Sequence, residues 1–258
     1  MRKKSIAIIT GASSGFGKEF VRLLAKEHTI DEIWAVARDK KKLQRLSSEY
    51  KKRLKTFSVD LSDRQELEHF AALIQDADVT IRYLVNNAGY GKFGSYKNLS
   101  IDESVNMIDL NISAVVQMGL VCIPYMKKGS HIINVASQAS FQPLPYLNIY
   151  SATKAFVRNY SRALHVELRE QGITVTAVCP GWMRTAFFDR AEIGAAKSVK
   201  KFVGMTTPDK VAARALADAR KGKDISVYGV FVRCAHLAAK FLPQRVMMEF
   251  WLRQQKIT

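Results

Sequence analysis

A chain of 258 residues with 48% hydrophobic composition supplies apolar material for one sizeable α/β core, and two small domains are the poorer fit. Its formal charge of +17 leaves nucleic acid, an anionic membrane and acidic small molecules open on composition alone. The basic residues come as short runs (Arg2–Lys4, Lys40–Lys42, Lys51–Arg53, Lys127–Lys128, Lys200–Lys201) between apolar-periodic segments, the pattern of solvated helix ends and loops; no nucleic-acid partner is expected.

No run approaches the roughly eighteen continuous apolar residues of a membrane span. The four apolar residues before Gly11 are too few for a secretory signal, so a cytoplasmic protein is expected. Cys122, Cys179 and Cys234 are odd in number, far apart and set among apolar neighbours, as buried free thiols are; neither a disulfide nor a metal site is expected.

In chain order, short β-branched runs alternate with longer amphipathic stretches. Ile6–Thr10 predicts a strand and the segment from about Phe16 to Lys26 a helix. Strands at Ile33–Ala37 and Lys55–Val59 are each followed by a helical pattern, at Lys40–Tyr50 and Arg64–Gln75. Next come strands at Tyr83–Asn86, His131–Val135 and Thr174–Val178, with helices at Ile101–Lys128, Ile149–Gln171 and Pro208–Arg220. Ile225–Tyr228 predicts a seventh strand. Near-continuous apolar strands are covered on both faces, and strand-helix alternation forces parallel pairing. The fold class is therefore α/β: a doubly wound, mostly parallel seven-stranded sheet with helices on both faces. With no repeat, low-complexity tract or linker in view, residues 1–258 are expected as a single domain, with a loop at about 182–206 and an amphipathic tail at about 235–258.

Directly after the first strand stands Thr10-Gly-Ala-Ser-Ser-Gly-Phe-Gly17, and a helix follows at once. Such glycines let the chain turn tightly and bring backbone N–H groups at a helix start close to a pyrophosphate, whose charge the helix dipole favours. Gly11, Ser13, Ser14, Gly15, Phe16 and Gly17 are the candidate contacts of a dinucleotide cofactor. The second strand ends at Arg38, about twenty residues further on, where the adenosine ribose belongs. A carboxylate there binds the 2′-hydroxyl, whereas an arginine pairs with a 2′-phosphate, so NADP(H) is favoured and NAD(H) is the other coenzyme considered. After the third strand, Asp60, with Leu61 beside it, is placed to accept from the adenine amino group or to serve as a turn residue.

Tyr150 and Lys154 are four apart on a predicted helix and share one face, while Ser137 follows the fifth strand at the carboxyl edge. A free phenol, with a pKa near 10, is a poor base at neutral pH, and a neighbouring ammonium favours its ionised form. Lowering it by about three units takes roughly 4 kcal/mol, which a lysine and a cationic cofactor ring in a dry site can supply. Ser137 would then hold the substrate oxygen while Tyr150 transfers the proton.

These pieces, with Asn86-Asn-Ala-Gly89 after the fourth strand, Asn111, and Pro180-Gly181 with Thr185 after the sixth, arrive in register. Over essentially its whole length the chain resembles the single-domain branch of the short-chain dehydrogenase/reductase family, whose fold is Rossmann-like. The resemblance implies Tyr150 as general acid/base, Ser137 as orienter of the carbonyl and Lys154 as tuner of the phenol and ligand of the nicotinamide ribose. It implies Asn111 as the helix-breaking residue that positions a proton-relay water. Asn87 would tie the central strands together, with Ala88 and Gly89 beside it; Pro180 and Gly181 would border the nicotinamide, and Met183 and Thr185 would contact it or its phosphate. The resemblance also implies a homodimer or homotetramer, assembled through the helices of Ile101–Lys128 and Ile149–Gln171. The second basic residue that NADP-preferring members often carry in the glycine loop is absent here, so the coenzyme assignment rests on Arg38 and nearby Lys40. None of the five histidines falls at a family site, and His165 reads as structural.

The substrate wall is expected from Gln138, Phe141, Leu144 and Tyr146 and, in the long loop, from Trp182, Phe187, Phe188 and Ile193. Its apolar, aromatic character suits a steroid-like, acyl or aromatic carbonyl or secondary alcohol better than a sugar. In the tail, Val246, Met247, Phe250 and Trp251 share a helix face with arginines at its flanks. That pattern fits a pocket cover, a subunit contact or an interfacial membrane helix, with docking on protein favoured over peripheral membrane contact. The leading function is thus a nicotinamide-dependent oxidoreductase for a small-molecule carbonyl or alcohol; the alternative is a non-catalytic NADP-binding regulatory protein of the same fold.

Overall fold

The computed structural model describes residues 2–50, 53–185, 187–191, 199 and 201–257. Ile193 of the expected substrate wall, and Lys51, Lys52 and Lys200 of the basic runs, lie outside them. The strands β1 (Lys4–Thr10), β2 (Glu32–Ala37), β3 (Leu54–Ser58), β4 (Val79–Asn86), β5 (His131–Val135), β6 (Thr174–Val178) and β7 (Ile225–Ser226) form one sheet. All pairings are parallel, in the order β3-β2-β1-β4-β5-β6-β7. The order reverses between β1 and β4, which opens a crevice beyond their carboxyl ends.

Helices α1 (Gly15–Leu24), α2 (Lys40–Tyr50), α3 (Arg64–Gln75), α4 (Ile101–Ile108), α5 (Ala114–Cys122) and α6 (Asn148–Glu167) connect the first six strands. After β6 come the short α7 (Phe187–Ala191), α8 (Pro208–Arg220), α9 (Val230–Phe241) and α10 (Gln244–Gln255). Strand β1 explains the two-sided core. Ala7 and Ile9 pack with Phe20 of α1 and Ala215 of α8, whereas Ile6 and Ile8 pack with Phe70 of α3 and Met118 of α5. Successive strand residues face opposite ways, so an uninterrupted apolar run is what a strand covered on both sides requires.

The helix expected at Ile101–Lys128 is broken: a π-turn at Asp109–Ser113 separates α4 from α5, and a 3-10 turn, Ile123–Tyr125, ends the segment. The run Ile101–Tyr125 has the length and average hydropathy of a membrane span, although 44% of its most apolar window is buried. Polar residues such as Asp102, Asp109 and Asn111 interrupt it, and Met107, Leu110, Met118 and Cys122 pack into the core beneath the sheet. Strand β7 stops at Ser226 rather than Tyr228, and the chain then turns at Gly229 with φ 91°. Arg53, expected as part of a solvated run, instead donates to the carbonyls of Ala25, Glu27 and Ile30, satisfying acceptors that the end of α1 leaves open.

The tail docks on the chain's own body. Met247, Trp251 and Gln255, on one face of α10, are buried. Trp251 Nε1 donates to the Pro145 carbonyl at 3.0 Å. The Gln255 carboxamide accepts from Lys201 N at 2.9 Å and donates to Lys201 O at 3.1 Å, joining the tail to the end of the long loop.

Candidate active site

A cleft of about 850 Å³ runs from the start of α1, past the ends of β1, β4 and β5, to α10, within the range of small-molecule sites. At one end, Gly11 (φ 62°) and Gly15 (φ 49°) occupy the left-handed region, which glycine adopts without strain. A Cβ on Gly17 would collide with the Gly11 carbonyl and approach the Asn87 amide to 2.7 Å. Ser14, the N-cap of α1, makes no side-chain cap bond, and the first turn holds no carboxylate. The N–H groups of that turn therefore present positive partial charge.

Thr10 and Asn87 join the strands beside this loop. Thr10 Oγ1 accepts from the backbone N–H groups of Asn87 (2.9 Å) and Ala88 (3.0 Å), while Asn87 Nδ2 donates to the carbonyls of Thr10 (3.0 Å) and Gly11 (3.2 Å). At the end of β2, Arg38 lines the cleft with Asp39 and Lys42. The Asp39 carboxylate accepts from the Lys42 backbone N–H at 3.0 Å and faces the Lys42 ammonium at 3.4 Å. These contacts, the backbone bond foremost, hold its pKa below the usual carboxylate range. Asp60 does not line the cleft: its carboxylate takes the Arg38 guanidinium at 3.2 Å and the Ser62 hydroxyl at 2.6 Å. Burial works against its charge, but the bonds from Ser62 and Arg38 outweigh it and lower the pKa. Leu61, the next residue, does line the cleft.

Further along, Ser137, Tyr150 and Lys154 converge on the wall of the cleft. Ser137 caps the 3-10 turn Gln138–Phe141, accepting from Ala139 N at 3.1 Å, and its side chain hydrogen-bonds that of Tyr150. The Lys154 ammonium, buried, donates to the Val135 carbonyl at 2.8 Å and lies 5.8 Å from the centre of the Tyr150 ring.

Asn111, also buried, sits within the π-turn. Its carboxamide accepts from Tyr90 N (3.1 Å) and donates to Tyr90 O (2.9 Å) and Thr153 Oγ1 (3.1 Å), so it ties the helical break to the turn of α6 that follows Tyr150. It does not itself line the cleft. Glycine at 89 permits this packing, because a Cβ there would stand 2.8 Å from Asn111 Oδ1 and 3.4 Å from Lys154 Nζ.

The expected lowering of the phenol pKa belongs to the cofactor-bound site; without the cofactor, burial dominates. Burial raises the Tyr150 pKa to about 12, with the Ser137 bond only partly opposing it, and burial lowers that of Lys154 to about 8. Desolvation disfavours both charged forms, and the ammonium is directed at the Val135 carbonyl. In the cofactor-free protein burial therefore favours the neutral phenol.

The far half of the cleft is apolar. Gln138, Phe141, Leu144, Trp182, Phe187 and Phe188 line it as expected, and the Phe187 ring centre lies 5.6 Å from that of Tyr150. Tyr146 does not: its backbone is left-handed (φ 65°), and its carbonyl accepts from Gly94 N. Met183 and Thr206 form a parallel bridge that pins the two ends of the long loop together. Several contributors were missed from sequence. Phe93, buried at the centre of Trp182, Phe187, Phe188 and Phe202, supports the aromatic wall. Gly91 lets Tyr150 approach, since a Cβ there would lie 2.7 Å from Cδ2 of the ring. Phe231 of α9 and Gln254 of α10 close the outer end. The motif Gly89-Tyr-Gly91 was the one local signal; the aromatic partners are too remote in sequence to give any.

The family model for short chain dehydrogenases matches residues 5–194. An uncharacterized oxidoreductase of Staphylococcus epidermidis is 28% identical over 200 residues, 77% of this chain and 86% of the relative. A short-chain dehydrogenase from Sphingobium yanoikuyae, solved in complex with NADPH, superposes with a TM-score of 0.76 at 26% identity over 95% of each chain. The bulky-bulky ketone specific alcohol dehydrogenase from Comamonas testosteroni superposes with a TM-score of 0.73 at 25% identity, covering 96% of this chain and 92% of its own. Glycine turn, strand order and the Ser-Tyr-Lys wall agree with that match: the chain belongs to the short-chain dehydrogenase family of oxidoreductases.

Proposed function

We propose that the chain is a single-domain, NADP(H)-dependent reductase or dehydrogenase of an apolar ketone or secondary alcohol, with Tyr150 as its proton donor and acceptor. The observation that carries this reading is the convergence of Ser137, Tyr150 and Lys154 on one wall of a cleft whose other end is a glycine turn at a helix N-terminus. A pyrophosphate fits there, because Gly11, Gly15 and Gly17 leave the space that a Cβ would fill. When bound, the nicotinamide supplies or takes up the hydride. The chain's own residues hold the cofactor at Gly11–Gly17, Arg38, Leu61, Asn87–Gly89, Pro180–Gly181, Met183 and Thr185. Ser137 Oγ orients the substrate oxygen, Tyr150 Oη gives it a proton on reduction and takes one back on oxidation, and Lys154 fixes the ribose and tunes the phenol. Asn111, through Tyr90 and Thr153, keeps the α4–α5 break in register with α6.

NADP(H) is favoured by Arg38 and Lys42 flanking the end of β2, where the ionised Asp39 is paired with α2; the relative from Sphingobium yanoikuyae carries NADPH. NAD(H) is the second coenzyme that the site admits. An apolar substrate is supported by the aromatic wall, and the Comamonas testosteroni relative is described as specific for bulky ketones. Three free cysteines, two of them buried, suit the cytoplasm. Exposed Val105, Ile108, Leu120, Phe156 and Val166 on α4, α5 and α6 support association into a homodimer or homotetramer through those helices. Tyr150→Phe tests the central assignment: turnover of NADPH with a bulky aromatic ketone is expected to fall about 10²- to 10⁴-fold while NADPH affinity stays near wild type. Turnover within threefold of wild type would overturn it.

A further inference from the structure

Helices α9 and α10 each carry an apolar stripe that the body of the protein does not cover. On α9, Val230, Cys234, Leu237 and Phe241 follow one another at spacings of four, three and four residues, the period of one helix face. All four are exposed, Val230 and Phe241 at 75%, while Val232 alone is buried. On α10, Met247 and Trp251 dock inward, yet Val246 and Phe250, one position earlier in each case, stay exposed, Phe250 at 63%. Val203 and Met205 add to the patch. The glycine between them lies against α9, a Cβ on Gly204 standing 3.1 Å from the Phe231 ring. Val203, Phe231 and Phe250 also line the cleft, so the patch borders it. Exposed apolar side chains gathered on neighbouring elements in this way mark an interaction site.

Charge selects the partner. From Val227 to Ile257 stand five basic residues, Arg233, Lys240, Arg245, Arg253 and Lys256, and a single carboxylate, Glu249. None of the five forms an ion pair among the described residues. A two-fold contact with a second copy would set this cationic patch against itself, whereas an anionic lipid surface takes up both its charge and its apolar stripes. We propose that α9, α10 and the Val203–Met205 segment form a peripheral docking face for an anionic bilayer, with the mouth of the cleft opening onto it. If the substrate is the apolar carbonyl or alcohol argued above, it enters from lipid without crossing water; the docking itself does not depend on that reading.

Flotation of the full chain with phosphatidylcholine vesicles, with and without phosphatidylglycerol, tests the proposal. Binding is expected to the vesicles containing phosphatidylglycerol and to weaken as salt is raised. The triple variant Val230→Ser, Leu237→Ser, Phe241→Ser, none of whose positions lines the cleft, is expected to lose about tenfold or more in partitioning. Its thermal midpoint and its turnover of a water-soluble ketone are expected to stay unchanged. Arg245→Glu with Arg253→Glu is a second variant, expected to remove the preference for phosphatidylglycerol. No flotation of the wild-type protein, or undiminished flotation of both variants, overturns the proposal. A smaller oligomer in the triple variant, seen in sedimentation without lipid, assigns the face to a second copy and overturns it equally. An active Tyr150→Phe protein would refute the catalytic reading and leave the flotation result untouched.

Discussion

Lys154→Met isolates what the buried ammonium costs the fold. Lys154 is 4% exposed, its ammonium donates to a single carbonyl, that of Val135, and burial lowers its pKa from 10.5 to about 8. At about 1.36 kcal/mol per pKa unit, that interval corresponds to about 3 kcal/mol. Above 10.5 both folded and unfolded chains carry the neutral amine, and no penalty applies. Between about 8 and 10.5 the unfolded chain keeps a proton that the folded chain has released, so stability falls as pH falls across this window. Below it the penalty is complete. Methionine fills the space without a charge but leaves the Val135 carbonyl without that donor, a loss of about 1–3 kcal/mol. The cofactor-free variant is therefore expected to equal wild type at neutral pH or to exceed it by up to about 2 kcal/mol, while its turnover collapses. Urea unfolding of both proteins at intervals from about pH 7 to 10 checks this. The wild-type stability minus that of the variant is expected to climb by most of about 3 kcal/mol across the series. Groups remote from Lys154 that titrate there change both proteins alike and cancel. A variant several kcal/mol less stable at neutral pH, with a difference that does not vary with pH, would refute the assignment of a desolvated ammonium.

Arg38→Asp removes the cation beside the ribose end and leaves Asp60 without its guanidinium partner. NADPH binding, followed by fluorescence titration, is expected to weaken about ten- to a hundredfold with NADH nearly unaffected; equal losses for the two coenzymes would count against the 2′-phosphate reading. Gly91→Ala places a methyl 2.7 Å from Cδ2 and 2.9 Å from Cγ of Tyr150, so the ring must shift. Displacement of a reacting group by about an ångström costs on the order of a hundredfold. An expected drop of that order in kcat/KM, with far-UV circular dichroism and NADPH affinity preserved, is checked by steady-state kinetics, and unchanged kinetics would show that Tyr150 tolerates the intrusion.

The strands and their order of use were legible because each is a short apolar run bounded by turn residues. The glycine loop was legible because its function demands residues without side chains at fixed places. Ser137, Tyr150 and Lys154 could be found because helix geometry puts residues four apart on one face and the strand edge supplies the third. The break at Asp109–Ser113 was legible only through the resemblance, which implies Asn111 as a helix-breaking residue: Asp-Leu-Asn-Ile-Ser has no proline or glycine, and the π-turn is held by bonds between Asn111 and Tyr90 and Thr153 that no local pattern reveals. Spacing alone placed an ammonium near the phenol, whereas the depth of burial that opposes ionisation in the cofactor-free protein and the bond that directs the ammonium at the Val135 carbonyl are properties of the assembled fold. Tyr146 was placed in the substrate wall from position alone, and a left-handed turn directs it elsewhere; of the two readings of Asp60, adenine acceptor or turn residue, its bonds to Ser62 and Arg38 favour the turn.

The Ser-Tyr-Lys wall and the outer cover of the cleft lie in different parts of this chain. The family match covers residues 5–194, which include the glycine turn, the Ser-Tyr-Lys wall and the first half of the aromatic loop. The elements that close the outer cleft, carrying Val203, Phe231, Met247, Phe250, Trp251 and Gln254, lie beyond it. They are held by few specific bonds, chiefly Trp251 to Pro145 and Gln255 to Lys201, so side chains on α9 and α10 can vary without disturbing Ser137, Tyr150 or Lys154. A rigid sheet edge that fixes the reacting groups, covered by helices tied on at a few points, lets the proton-transfer geometry persist while the shape presented to substrate changes. The oxidoreductase reaction class therefore follows from the family, whereas the outer end of the cleft is shaped by residues beyond the match.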